Sequence, residues 1–224
     1  WVEDEKYAEA RHVSTLGTAG DGAVEAQAIL IEHDVRVEPF STAVEACLPR
    51  EDYTIPDAEI ARRLDLRHGP ALISSIDPPG CKDIDDAIHA RALGDGKYEV
   101  GVHISDVCSF IEAGSALDRE AAARAETFYL INARANMVPP LLSENLASLH
   151  PNVDRLAFSV IWQMDEEANI SSTQFVKTVI RSKAALSYDE AQRRIDDKSF
   201  DDELSQSLRV LMRITRARKE QRRQ

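Results

Sequence analysis

Apolar and polar positions alternate with a period of two over residues 98–105. Tyr98, Val100, Val102 and Ile104 are interleaved with Glu99, Gly101, His103 and Ser105. A period of two places alternate side chains on opposite faces of a strand, so this stretch reads as a half-buried strand. The apolar run 88–93 precedes it, and Gly94-Asp95-Gly96-Lys97 between them is a hairpin signal. A short apolar run covers 71–76, and 156–164 with 174–181 read as a strand pair joined by a polar loop. Residues 24–36 also read as a strand, following a turn at Gly20-Asp21-Gly22.

Elsewhere the period is helical. Residues 116–126 predict a helix with Ser115 as its cap, and 143–149 a short helix after Pro139-Pro140. Ser187-Tyr188-Asp189-Glu190 has the spacing of a capping box and opens a helix to Ile195. A final helix over 201–223 carries Leu204, Leu208, Leu211 and Ile214 on one face. Residues 37–70 hold Pro39, Pro49, Pro56 and Pro70 and read as a linker wrapped over a domain, with one short helix around 57–64. The pattern is α+β.

Composition narrows the class. The chain has 224 residues, 43% hydrophobic and 29% charged, which suits a globular protein. No stretch approaches the ~18 consecutive apolar residues of a membrane span. The first residues show no signal-peptide core. Cys47, Cys81 and Cys108 are too widely spaced for a zinc ribbon or finger. Such a sparse, odd set suits a reducing, intracellular setting. The net charge is −12, which taken alone argues against a nucleic-acid binder. The charge is uneven, however. From Ser207 to Gln224 seven Arg or Lys face one Glu. That run is either the solvated face of a helix or a surface that meets a polyanion.

The densest chemistry lies in Ile76-Asp77-Pro78-Pro79-Gly80-Cys81-Lys82-Asp83-Ile84-Asp85-Asp86-Ala87, with four aspartates in ten residues. Pro-Pro-Gly sets a tight reversal that folds Asp77 back beside the other three. In an extended segment Asp83 and Asp85 share one face, and Asp86 needs a bulge or turn to join them. Two unit charges ~4 Å apart repel by about 4 kcal/mol at an effective dielectric of ~20. A hard cation with oxygen ligands relieves that cost, and Mg²⁺ in particular shares its site with substrate phosphates. An EF-hand reading fails, because from Asp83 the fifth and sixth positions are Ala87 and Ile88. The bland alternative is a solvated acidic turn.

At this motif the chain resembles the RNase II / RNase R (RNB-domain) exoribonucleases, and within them the branch that supplies the catalytic subunit of the eukaryotic RNA exosome. The family pattern Asp-x5-Asp-x-Asp-Asp is met by Asp77, Asp83, Asp85 and Asp86. Val102-His103-Ile104-Ser105-Asp106-Val107, Phe128-Tyr129-Leu130, Met137-Val138-Pro139, Asp154-Arg155-Leu156-Ala157-Phe158-Ser159 and Leu186-Ser187-Tyr188-Asp189-Glu190-Ala191-Gln192 follow in the family's order and spacing.

The resemblance implies a domain plan. Residues 1–50 would be the C-terminal part of a cold-shock OB β-barrel, 51–70 a linker, and 71–224 the N-terminal half of the exoribonuclease domain. The family's catalytic domain continues further, with a phosphate-gripping arginine and another OB domain, so the chain reads as a fragment that is at most weakly active alone.

It also implies an activity: processive 3′→5′ hydrolysis of single-stranded RNA to nucleoside 5′-monophosphates. Asp77, Asp83, Asp85 and Asp86 would be catalytic and would hold Mg²⁺. Asp85 would be needed for cleavage but not for RNA binding. Tyr129 would stack on the 3′-terminal nucleotides, with Tyr188 close to the same end. His103 and Asp106 read as structural. The implied partners are single-stranded RNA and exosome core subunits, with no membrane. The implied location is the nucleus or nucleolus, with the cytoplasm also open. One departure stands out: Arg134-Ala135-Asn136-Met137 replaces the Arg-Ile-Asp-Met common in relatives. The rival readings are a non-catalytic RNA-binding or exosome-assembly module, and a Mg²⁺ phosphohydrolase acting on small nucleotides.

Overall fold

A computed structural model describes residues 11–131 and 133–223. Its centre is a seven-stranded mixed sheet. The strands are β1 (Leu64–Asp65), β2 (Ser74–Asp77), β3 (Asp86–Gly94), β4 (Lys97–Ser105), β7 (Asp154–Met164), β8 (Ile170–Arg181) and β9 (Ala184–Ser187), in the order β1-β8-β7-β4-β3-β2-β9. The edge pairs β1–β8 and β2–β9 are parallel, and the inner pairs are antiparallel. A separate hairpin pairs β5 (Phe128–Tyr129) with β6 (Arg134–Ala135).

The β3–β4 hairpin forms where the Gly-Asp-Gly signal puts it. Gly94, Asp95 and Gly96 all have positive φ, the conformation that glycine adopts without a Cβ penalty. Burial along β4 is not a simple alternation. Tyr98 and Val100 are buried as the period predicts, but so are Gly101 and His103, while Ile104 is 46% exposed. One face packs Tyr98 and Val100 into an apolar cluster, while the other buries the small Gly101 and the hydrogen-bonded His103. A buried polar ladder crosses four strands. His89 Nδ1 lies 2.8 Å from His103 Nε2, His103 Nδ1 lies 2.7 Å from Ser159 Oγ, and Ser159 Oγ lies 2.7 Å from Thr178 Oγ1. Burial pushes the His103 imidazole down to about 3, with His89 adding to the fall and Glu99 opposing it. His103 is therefore neutral and structural.

Helix α1 (Gly22–Glu32) corrects the strand expected over 24–36. Asp21 caps it by accepting from the Ala23 and Val24 amides, and Ala26 and Leu30 form its buried stripe. Val24 and Ile29-Leu30-Ile31 suit a strand, but the interleaved Ala, Glu and Gln favour a helix once its first turn is capped. Residues 1–10, part of the segment assigned to a cold-shock domain, lie outside the described residues.

The 37–70 segment holds two short helices, α2 (Thr42–Glu45) and α3 (Asp57–Ile60), and then joins the sheet edge through β1. Arg63 ties it down. Its side chain is buried and pairs with Asp106 at 2.7 Å, while also donating to the carbonyls of Ala157 and Thr178. Asp106 further meets Lys177 at 3.3 Å, so it too is structural.

Helix α4 (Ala116–Arg124) starts under Ser115, whose Oγ accepts from the Asp118 amide at 3.1 Å. The short helix expected at 143–149 forms slightly earlier, as a π-helix over Leu141–Leu146, with the Ala147 amide reaching back to the Leu142 carbonyl. Ser187 caps α5 (Tyr188–Asp196) through the Glu190 amide, while the Glu190 carboxylate meets Arg194 instead of completing a capping box. Helix α6 (Glu203–Gln221) buries Leu208, Leu211 and Ile214 against Ala90, Tyr98 and Val100 of the sheet. Within its basic run, Arg209 donates to four carbonyls at the end of α5 and beyond, and Arg213 lies 4.5 Å over the Tyr98 ring. Arg209 thus serves packing, while Arg213 is exposed despite its contact with the ring. Arg216, Lys219, Arg222 and Arg223 are exposed.

Candidate active site

Asp77 is the last residue of β2 and Asp86 the first of β3. The antiparallel register pairs Ser74 with Ile88, and continuing that count puts Asp77 level with Asp85. Between them Pro78 and Pro79 lead to Gly80, whose φ of +80° fits the third position of a tight turn. The Cys81 amide closes the turn on the Pro78 carbonyl at 3.1 Å.

The rest of the loop is pinned by Ile84. Its side chain is 2% exposed and packs with Ile73, Ala87 and Leu149. Its amide donates to Ser148 Oγ at 3.0 Å, and its carbonyl accepts from Leu149 at 2.8 Å. With Ile84 turned inward, its neighbours Asp83 and Asp85 are turned the other way. The Asp85 carbonyl accepts from the Ser105 amide at 2.8 Å, which fixes Asp85 against the end of β4.

The carboxylates sense one another. Asp85 stands above its ordinary range because nearby structure displaces water and because Asp83, Asp86 and Asp77 add negative charge. Asp86 is raised by the same loss of water and then by Asp77. Both keep much of their surface open to solvent, and the negative charge of their neighbours adds to the loss of water. Asp77 Oδ2 is buried and has no hydrogen-bond partner among the described residues.

Asp83 differs from the other three. It accepts from the Tyr129 hydroxyl and forms an ion pair with Arg134 at 3.1 Å. The hydrogen bond to Asp83 pushes the Tyr129 phenol up to about 12. Arg134 also pairs with Glu144, which Lys82 approaches to 4.0 Å. The β5–β6 hairpin thus rests on the aspartate loop, and an open cleft of about 470 Å³ between them is lined by Asp83 but not by the other three aspartates. A second groove, of about 540 Å³, is apolar, is lined by residues such as Ile88, Trp162 and Leu208, and holds none of the four aspartates.

Tyr188 reaches the same end of the sheet by another route. The parallel β2–β9 register sets Ser187 beside Asp77, and Tyr188 follows as the first residue of α5. Tyr129 is 66% and Tyr188 59% exposed, so both rings are open to a ligand. All six residues singled out in the sequence therefore gather around one end of the sheet. Arg134 and Glu144 join them, although the sequence marked Arg134 only within a departing tetrapeptide and gave no local sign for Glu144. Asn136, in that tetrapeptide, has a buried Oδ1 with no partner among the described residues.

An all-carboxylate donor set with one orphaned buried oxygen suits a hard divalent cation. Among the described residues no three Asp, Glu, His or Cys side chains stand close enough together to hold an ion. Such a preformed cage is not what Mg²⁺ needs, since it keeps several waters and takes one or two carboxylates plus substrate oxygens.

The fold defines the class. The structure titled "Mycoplasma genitalium RNase R in complex with double-stranded RNA" shares it with a TM-score of 0.82, at 24% identity, covering 92% of this chain and 37% of that one. "Structure of yeast Ssd1, a pseudonuclease" shares it with a TM-score of 0.73, also at 24% identity, covering 92% of this chain and 25% of that one. More closely, the RNB domain model matches residues 63–224, and the chain belongs to the RNB domain family. Residues 1–34 match the Dis3-like cold-shock domain 2; the described part of that match holds α1 and no strand.

Among curated relatives, the chain is 49% identical over 216 residues to the mouse (Mus musculus) exosome complex exonuclease RRP44, covering 96% of this chain and 22% of that protein. It is 46% identical over 228 residues to exosome complex exonuclease dis3 of Schizosaccharomyces pombe, covering 99% of this chain and 23% of that protein. The chain thus spans about a quarter or less of the length of the curated relatives it matches.

Proposed function

We propose that this chain carries the aspartate centre of an exoribonuclease that degrades single-stranded RNA from its 3′ end to nucleoside 5′-monophosphates, processively and with Mg²⁺, in RNA decay and processing by the exosome. The observation that carries the reading is the gathering of Asp77, Asp83, Asp85 and Asp86 at one end of the sheet beside two open tyrosine rings. Membership of the RNB family and the likeness to exosome exonucleases support it.

Asp77, Asp83, Asp85 and Asp86 would hold the cation between them, together with water and substrate oxygens. The chemistry a bound Mg²⁺ supplies is activation of water and stabilisation of the leaving oxygen of a phosphodiester. The chain's own groups do the rest. Tyr129 and Tyr188 offer π faces on which any base stacks, which suits a substrate read without regard to sequence. Repulsion among the carboxylates keeps the phosphate out until a cation neutralises them. Exosome core subunits as partners are supported by the names of the relatives; a nuclear or nucleolar location, with the cytoplasm also open, is part of the same proposal and rests on the family resemblance alone. No described helix is long and apolar enough to cross a membrane.

The test is Asp85→Asn. In a single-turnover assay with protein in excess over RNA, release of nucleotides falls by roughly a hundredfold or more, while binding to the RNA is retained. The second reading, a non-catalytic RNA-binding module, is favoured by the likeness to a structure described as a pseudonuclease. RNA decay unchanged by Asp85→Asn, with binding intact, would decide for it.

A further inference from the structure

Arg134 sits between two carboxylates. On one side it pairs with Asp83 Oδ1 at 3.1 Å, and on the other with Glu144. Its side chain is 24% exposed, and that of Asp83 13%, so water screens the pair only in part. Lys82 stands 4.0 Å from the far oxygen of Glu144. The Tyr129 hydroxyl donates to the second oxygen of Asp83, and the Arg134 guanidinium lies 5.9 Å from the Tyr129 ring. Both oxygens of Asp83 are therefore occupied by groups of the β5–β6 hairpin, while Asp77 keeps a buried oxygen without a partner.

We propose that Arg134 is a built-in counter-ion: it holds Asp83 while no cation is bound, and passes to Glu144 when a divalent cation takes Asp83. The inference rests on reading the aspartates as metal ligands. A guanidinium and a divalent cation compete for the same carboxylate oxygen, and the winner is set by what else each can reach. Glu144 already contacts Arg134, so release from Asp83 strands no charge. The exchange would also free the Tyr129 hydroxyl and loosen the hairpin's hold on the loop. Arg134 is in this sense a positioning residue, acting through Asp83 rather than on the substrate.

Opposite shifts in cation affinity test the idea. Mn²⁺ binding to the full chain is measured by electron paramagnetic resonance, with Mg²⁺ added as competitor, and folding is checked by circular dichroism. Arg134→Gln removes the competitor and tightens binding by about fivefold, the scale of one partly screened ion pair. Glu144→Gln removes the alternative partner and weakens binding by a similar factor. Tyr129→Phe, which changes no charge, tightens binding in the same direction as Arg134→Gln. In an Asp83→Asn background the gain from Arg134→Gln disappears.

Other outcomes separate the possibilities. If both the Arg134 and Glu144 variants weaken binding, their role is structural and the inference is overturned while the metal reading stands. If the gain from Arg134→Gln survives in Asp83→Asn, or Tyr129→Phe shifts nothing, the effect is general electrostatics and the exchange is again overturned. Absence of any cation binding by the folded, unmodified chain would overturn the metal reading itself, and the inference with it.

Discussion

Gly101 shows how one missing atom shapes the sheet. A Cβ built there would lie 2.2 Å from His89 Cε1 and 2.5 Å from His89 Nδ1. The stacked pair of His89 and His103, with ring centroids 5.0 Å apart, fills that space instead. Gly101→Ala must push His89 off its hydrogen bond or bend β3 from β4. It is expected to destabilise the fold by about 1–3 kcal/mol, the cost of overpacking, read from urea denaturation midpoints. A change within error would mean that the imidazole pair moves freely.

None of this was visible in the sequence. There Gly101 and His103 fell on the polar side of the period-two pattern, which gave no hint that the polar side is also buried. The same blindness covers Asp83. Its partners Tyr129 and Arg134 lie 46 and 51 positions away in the chain, and no local period links them. The aspartate loop, by contrast, was legible residue by residue, because its turn chemistry and its charge repulsion are both local.

Elements were readable where a cap or a turn announced them. Ser115, Ser187 and the Gly94-Asp95-Gly96 turn each mark a boundary through a hydrogen bond or a positive φ fixed within a few residues. The 24–36 stretch was misread because its cap, Asp21, lay inside what looked like a loop turn. The helix α6 is the clearest case for testing. Asp202 caps it by accepting from the Ser205 amide at 3.0 Å and the Ser205 hydroxyl at 2.8 Å, and it meets Arg194 of α5 at 3.2 Å. Asp202→Ala is expected to cost about 1 kcal/mol by thermal or urea unfolding. Because α6 covers the sheet through Leu208 and Leu211, the loss should also raise hydrogen exchange along its first turns before the sheet opens. Uniform exchange across the molecule would contradict that local reading.

At the scale of the whole molecule, the net charge of −12 changes meaning. Four of its acids are concentrated at one end of a mixed sheet, where strand register rather than sequence neighbourhood brings Asp77 and Tyr188 together. Of the basic run in α6, Arg209 is committed to carbonyls at the end of α5 and beyond, while the remaining cations stay exposed. The proposed activity is removal of nucleotides one at a time from the 3′ end of RNA at this aspartate end of the sheet. Its most direct test is single-stranded RNA labelled at the 3′-terminal nucleotide, incubated with excess protein and Mg²⁺, with the products resolved by chromatography. The label should appear as nucleoside 5′-monophosphate, without internal fragments, and its release should stop when the cation is chelated. Internal fragments, or release that persists in chelator, would contradict the claim.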